Sequence, residues 1–118
     1  MNGRAFSVVL DCPDPHALGE FYSRLLGKPI TADEPDWVSV GDRATGKISF
    51  QLAPDHVPPR WPDPAFPQQS HLDVWIDDID VTELEALALG AIWLASDDEE
   101  GFRVYNDPAG HPFCLCWK

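Results

Sequence analysis

Tyr105-Asn106-Asp107-Pro108-Ala109-Gly110-His111-Pro112-Phe113-Cys114-Leu115-Cys116-Trp117, the last long stretch of the sequence, reads as a β-hairpin. Asp107 can bond back to the backbone, Pro108 presets φ at the second turn position, and Gly110 tolerates φ > 0, which together supply the chemistry of a tight reversal. Beyond the turn the side chains alternate. Phe113, Leu115 and Trp117 fall on one face, and Cys114 and Cys116 on the other. Such a strand can close a core with its aromatic side and line a cavity with its thiol side.

Working back from the hairpin, His71 to Asp77 reads as a strand, with Leu72, Val74 and Ile76 on one face and His71, Asp73 and Trp75 on the other. Asp80 is the expected cap of a helix through Val81, Leu84, Leu87 and Ala88 that ends at Gly90. Ala91 to Ala95 gives a short strand, and the acidic run Asp97 to Glu100 a solvated loop before Phe102 to Asn106. The first half follows the same plan. Phe6 to Cys12 is a strand. Asp14 and Pro15 open a helix carrying Leu18, Phe21, Tyr22, Leu25 and Leu26 as far as Gly27. Strands follow over Pro29–Ala32, Trp37–Gly41 and Lys47–Ala53. The unit βαβββ thus occurs twice, which predicts two modules packed about a pseudo-dyad and sharing a cavity. Their expected bounds are about residues 5–53 and 70–118. Between them, residues 54–69 hold six of the chain's twelve prolines and predict a stiff linker without regular structure.

Composition narrows the function. At 118 residues with 44% hydrophobic content, the chain is one small domain. Its 20 acidic and 8 basic side chains give a formal net charge of −12, which disfavours binding to nucleic acid and to anionic membranes. No secretory leader and no membrane-length apolar run is evident, so a cytoplasmic location is expected. Three cysteines do not make a disulfide framework, and Cys114 and Cys116, about 6.5 Å apart along a strand, would strain it if bridged.

Asp14 with Glu20-Phe21-Tyr22 to Leu26-Gly27, His71-Leu72-Asp73-Val74 with Asp77-Asp78, and Asn106-Asp107-Pro108-Ala109-Gly110-His111 carry a resemblance. In that order they resemble the vicinal oxygen chelate superfamily, which includes glyoxalases and bleomycin-resistance proteins. Arg60-Trp61-Pro62, Gln69 and Phe113-Cys114-Leu115-Cys116 are similar to its glyoxalase-like branch. The resemblance implies an α+β fold of two βαβββ modules forming a curled, cup-shaped mixed sheet with helices on the outside, often completed in a homodimer. It also implies four metal-ligand positions, which carry over to Ser7, Gln51, His71 and Cys114. The family usually has His or Gln, Glu, His and Glu there.

Only His71 keeps a usual ligand identity, and without carboxylates the four positions suit no hard divalent ion. No cofactor is therefore favoured. Zn²⁺ could take His71 and Cys114, but Gln51 would be a poor third ligand. His71 and Asp73 on one face could act as a base with its orienting partner. The plain alternative is a pocket wall. Cys114 lacks a nearby cation in sequence and reads as packing. Arg60 and Trp61 could present a planar cation and a ring to a ligand, or seal the core. With Trp37 and Trp75 turned inward, the cup would be aromatic. The leading expectation is a small-molecule-binding, glyoxalase-like homodimer with a degenerate metal site. The alternatives are a lyase, isomerase or dioxygenase using Zn, Mn, Ni, Fe or His71, and a non-catalytic interaction module.

Overall fold

The structure, a computed structural model, describes residues Met1–Lys118, and the chain divides into two compact units, Met1–His56 and Val57–Lys118. The first contains β1 (Ser7–Cys12), α1 (Pro15–Leu26), β2 (Ile30–Glu34), β3 (Trp37–Asp42) and β4 (Gly46–Leu52). The second contains β5 (Leu72–Trp75), α2 (Ile79–Ala88), β6 (Ile92–Asp97), β7 (Phe102–Asn106) and β8 (Pro112–Cys116). Each unit is βαβββ, as the internal repeat predicts. No helix is long and apolar enough to cross a membrane.

In the first unit the strand order is β1-β4-β3-β2, with β1 parallel to β4 and the other pairs antiparallel. Asp14 caps α1 by accepting from the Ala17 N–H at 3.1 Å, Pro15 sits in the first turn, and Gly27 ends the helix at φ 64°. Leu18, Phe21 and Tyr22 face the sheet and are buried. Burial of each contributes about 1.5–3 kcal/mol. Gly19 belongs to this contact, because a Cβ there would lie 2.5 Å from Val38 Cγ1. The Tyr22 ring stacks on Phe50 at 5.4 Å and meets Phe21 edge-on at 5.0 Å.

The second sheet repeats the order as β5-β8-β7-β6, again with its first pair parallel. Here the helix cap differs from the expected one. Asp78, with an extended backbone, accepts from the Val81 N–H at 3.2 Å and caps α2, whereas Asp80 falls in the first turn. Both carboxylates suit a helix N-terminus, but only the residue just outside the helix can cap it. Val81, Leu84 and Leu87 recur at helical spacing yet are exposed, and Ala86 is the buried residue of α2. The sheet instead meets α2 through polar groups. Glu83 accepts from Arg103 Nη1 at 2.6 Å and from the Tyr105 hydroxyl at 2.9 Å, and the Tyr105 ring stacks on Phe113 at 5.5 Å.

The closing hairpin forms as read. Asp107 is buried; its Oδ1 accepts from the N–H of Ala109 and of His111, and its Oδ2 lies 2.9 Å from His111 Nδ1. Gly110 has φ 92°, and a Cβ there would sit 2.6 Å from Pro58 Cβ. The proline-rich segment from Val57 onward has no helix or strand and belongs to the second unit. Its backbone is tied by bonds from Arg60 N–H to Phe66 O and from Asp63 N–H to Arg60 O, at 2.8 and 2.7 Å.

Candidate functional site

Each sheet has one face toward its helix and one face away from it, and the alternation of side chains sets what the face away from the helix carries. In the first unit, Ser7 on β1, Ser49 on β4 and Ser39 and Trp37 on β3 share that face by register. They satisfy one another. The Trp37 indole donates to Ser39 Oγ at 3.1 Å, Ser39 and Ser49 share a hydrogen bond of 2.8 Å, and Ser49 lies 3.3 Å from Ser7 Oγ. Gln51 is exposed at the far end of β4, opposite Asp11 and Trp37 in register. The neighbour of Ser7 on the last strand is thus Ser49, a residue the sequence reading did not single out.

In the second unit, β5 runs parallel to β8 with Asp73 opposite Cys114. His71, two residues before Asp73, has its Nε2 3.2 Å from Asp73 Oδ1. One donor atom from each of His71, Asp73 and Cys114 lies within 4.8 Å of the other two. Cys114 is 9% exposed, whereas the His71 and Asp73 side chains are 40% and 65% exposed, so the cluster has a buried root and a wet rim. Burial, reinforced by the Asp73 carboxylate, pushes the Cys114 thiol up to about 12. Burial and Asp73 raise the Cys116 thiol as well. Neither is a thiolate at neutral pH, so neither is primed as a nucleophile.

Two hollows adjoin this cluster. One, of about 250 Å³, is lined by His71, Asp73, Phe102, Cys114, Cys116 and Lys118 among others. The other, of about 180 Å³, is lined by Trp61, Gln68, His71, Phe102, Val104 and Cys114 with Pro112. His71, Phe102 and Cys114 are common to both. Gln68 Oε1 is buried without a hydrogen-bond partner. The sequence reading singled out neither residue: Phe102 entered it only as the start of the strand to Asn106, and Gln68 only as part of the proline-rich segment.

The remaining expected site residues lie elsewhere. Arg60 is exposed and holds its guanidinium 4.4 Å from the Phe66 ring centroid, a partner six residues on in the same loop. Trp75 shares the face of Asp73 by register, but it is 66% exposed and lines neither hollow. The stacked aromatic rings of both units lie on the helix side of their sheets, as core.

Residues 7–116 match the family described as Glyoxalase-like domain. The chain belongs to that family. No curated protein matches it by sequence. Among solved structures, a glyoxalase/bleomycin resistance protein/dioxygenase family enzyme from Burkholderia phytofirmans PsJN is similar at 16% identity, covering 93% of this chain and 94% of that one, with a TM-score of 0.73. The trypanothione-dependent glyoxalase I of Leishmania major is similar at 15% identity over 98% and 87% of the two chains, with a TM-score of 0.68. TnmS3, an antibiotic-binding protein from Streptomyces sp. CB03234, is similar at 19% identity over 98% and 96%, with a TM-score of 0.63. Together with the family match, these likenesses show the fold that the resemblance to the vicinal oxygen chelate superfamily implies.

The ligand positions carried over from that superfamily do not suit its usual hard ion. Ser7 is engaged with Ser49, Gln51 offers a neutral amide, and His71 and Cys114 add an imidazole and a protonated thiol. The Asp73 carboxylate, outside those four positions, is what completes a group of possible donors.

Proposed function

We propose that this glyoxalase-like protein binds a small, planar organic molecule bearing a hydroxyl group in the hollows beside His71. The observation that carries this reading is the pair of hollows meeting at His71, Phe102 and Cys114, where apolar walls surround a few convergent polar groups. A ring would lie against Trp61, Phe102 and Val104. Its hydroxyl would pair with the His71–Asp73 dyad or donate to the orphaned Gln68 Oε1. Hollows of this size suit one or two rings, since pockets for drug-sized ligands run from about 300 Å³ upward. A structural relative that binds an antibiotic supports the class of ligand.

Titration of the protein with hydroxylated bicyclic aromatics such as naphthols and coumarins, in chelator and followed by tryptophan fluorescence, tests this. Saturable binding is expected, weakened about tenfold in His71→Ala, as loss of a charge-assisted hydrogen bond would give. It should be unchanged in Ser49→Ala, whose hydroxyl serves the first unit. Binding that falls with Ser49→Ala and survives His71→Ala would overturn the assignment. The same reading takes the protein to be a cytoplasmic homodimer. Support for pairing comes from β1, an outer strand with Val8 and Val9 exposed and the exposed Phe6 just before it.

A further inference from the structure

We propose that the outer side of α2, a ridge of Val81, Leu84, Leu87 and Ala88, is a docking surface for a basic amphipathic helix of a partner protein. This goes beyond the small-molecule reading and does not rest on it.

α2 is apolar on two sides. Ala86 is buried, and Ile79, Thr82 and Glu83 are partly buried with it. At 3.6 residues per turn Leu84 stands about 200° from Ala86, and Val81, Leu87 and Ala88 fall to the side of Leu84. All four are exposed. From Val81 to Ala88 they form one ridge about 10 Å long. Apolar residues exposed singly need no explanation, but a contiguous ridge marks a contact surface. A helix that is apolar all round is ordinarily covered all round.

Charge decides what covers it. From Asp73 to Glu100 the chain holds ten Asp and Glu residues and no Lys or Arg. Arg103 reaches into this region from β7, but its guanidinium is taken up by Glu83 and Asp98, with Asp80 3.9 Å away. Asp80 and Glu85 flank the ridge, Asp77 and Asp78 precede it, and all four are exposed. The ridge therefore lies in a negative field. A second copy of the chain would set the same carboxylates against each other, which is unfavourable, and an anionic membrane would be repelled likewise. A helix with apolar anchors at i, i+3, i+4 and i+7 and Lys or Arg beside them complements both the ridge and its rim. The ridge covers only about two turns, so the contact belongs to the small, transient class, with an affinity that falls as salt rises.

The probe is a labelled leucine–lysine peptide of about 18 residues, long enough to form a helix, with its leucines at i, i+3, i+4 and i+7. Fluorescence anisotropy during titration with the full chain should show saturable binding, weakened several-fold in high salt. Leu84→Gln changes no charge and should weaken binding about tenfold, whereas His71→Ala should leave it unchanged. A peptide of the same composition with its leucines spread round the helix, and one with Glu in place of Lys, should not bind. Hydrogen exchange on the unaltered protein reads the same contact without a mutation: the peptide should slow exchange in α2 and not in α1. Absence of binding, equal binding of the spread peptide, or binding indifferent to Leu84→Gln would overturn the proposal. So would self-association in sedimentation that Leu84→Gln abolishes, because a second copy would then cover the ridge.

Discussion

In the first unit the sheet face away from the helix is chemically closed, with the Trp37 indole and the hydroxyls of Ser39, Ser49 and Ser7 linked in one hydrogen-bonded chain. In the second unit the corresponding face carries His71, Asp73 and Cys114 beside two hollows. The backbones are otherwise close copies. Strand order is the same, the first pair of each sheet is parallel and the other pairs antiparallel, and register shifts fall at matching places, between Ile30 and Ala32 and between Trp93 and Ala95. One repeated frame therefore supports a self-satisfied face and one that carries a cluster of possible donors beside hollows. The difference rests on side chains that alternate to the same side of homologous strands, so the fold does not need the chemistry and the chemistry can be changed without the fold.

The helix sides differ too, and the largest expected effect breaks that comparison open. Phe21 on α1 is 3% exposed, whereas Leu84 on α2 is 71% exposed. Phe21→Ala should cost about 3–5 kcal/mol in urea unfolding, from lost burial plus a cavity. Leu84→Ala should stay within about 0.5 kcal/mol. Equal losses would mean that α2 packs through its apolar stripe after all.

The apolar face of α1 was legible because its recurring residues, its Asp14 cap and its Gly27 stop agree. For α2 the recurrence of Val81, Leu84 and Leu87 marked the helix, but those residues lie on its exposed side. The reason is Arg103, whose guanidinium comes from a strand twenty residues away and makes Glu83 an acceptable inward residue. No local pattern carries that information. The candidate site divides similarly. Alternation put His71 and Asp73 on one face, but Asp73 joins Cys114 only through the β5–β8 register, which the hairpin at Asp107 sets. Arg60 was misleading for the opposite reason, since its partner Phe66 lies close in sequence inside a loop with no period to read.

An intermediate effect is expected at Arg103, whose side chain is 15% exposed against 24% for Glu83. Arg103→Leu leaves Glu83 without its cation and should destabilise the protein by about 2 kcal/mol, as loss of a charged hydrogen bond in a half-buried site does. The double variant Arg103→Leu with Glu83→Leu should recover part of that loss, because the half-buried carboxylate is then gone and only the exposed Asp98 loses a charge partner, while the Tyr105 hydroxyl loses its acceptor. Chemical denaturation of the two variants decides it, and a double variant less stable than the single would show that the polar contact is the true glue of α2.

The smallest effect concerns the acidic loop, which the sequence presents as solvated and which Arg103 tethers. Arg103 Nε and Nη2 donate to the two carboxylate oxygens of Asp98 at 3.0 and 2.9 Å, and this contact holds the Asp98 carboxyl below its ordinary value. A carboxyl lowered on folding contributes stability that is present above its unfolded value of about 4 and is lost as pH falls through the folded value. Asp98→Asn should therefore be slightly less stable than the parent at pH 7 and converge with it on acidification below about pH 4. The group is exposed, so the gap should be small and should shrink further in high salt. No counterpart is expected at Asp42 in the first unit. Its carboxyl is also lowered, but by the backbone N–H and hydroxyl of Thr45. Salt screens a charge pair more than a short hydrogen bond to a neutral donor, so the Asp42→Asn gap should hold in salt while the Asp98→Asn gap closes. Thermal melts of both variants across pH at low and high ionic strength separate the two cases. Equal salt sensitivity would mean that the Arg103 contact adds nothing beyond local turn chemistry.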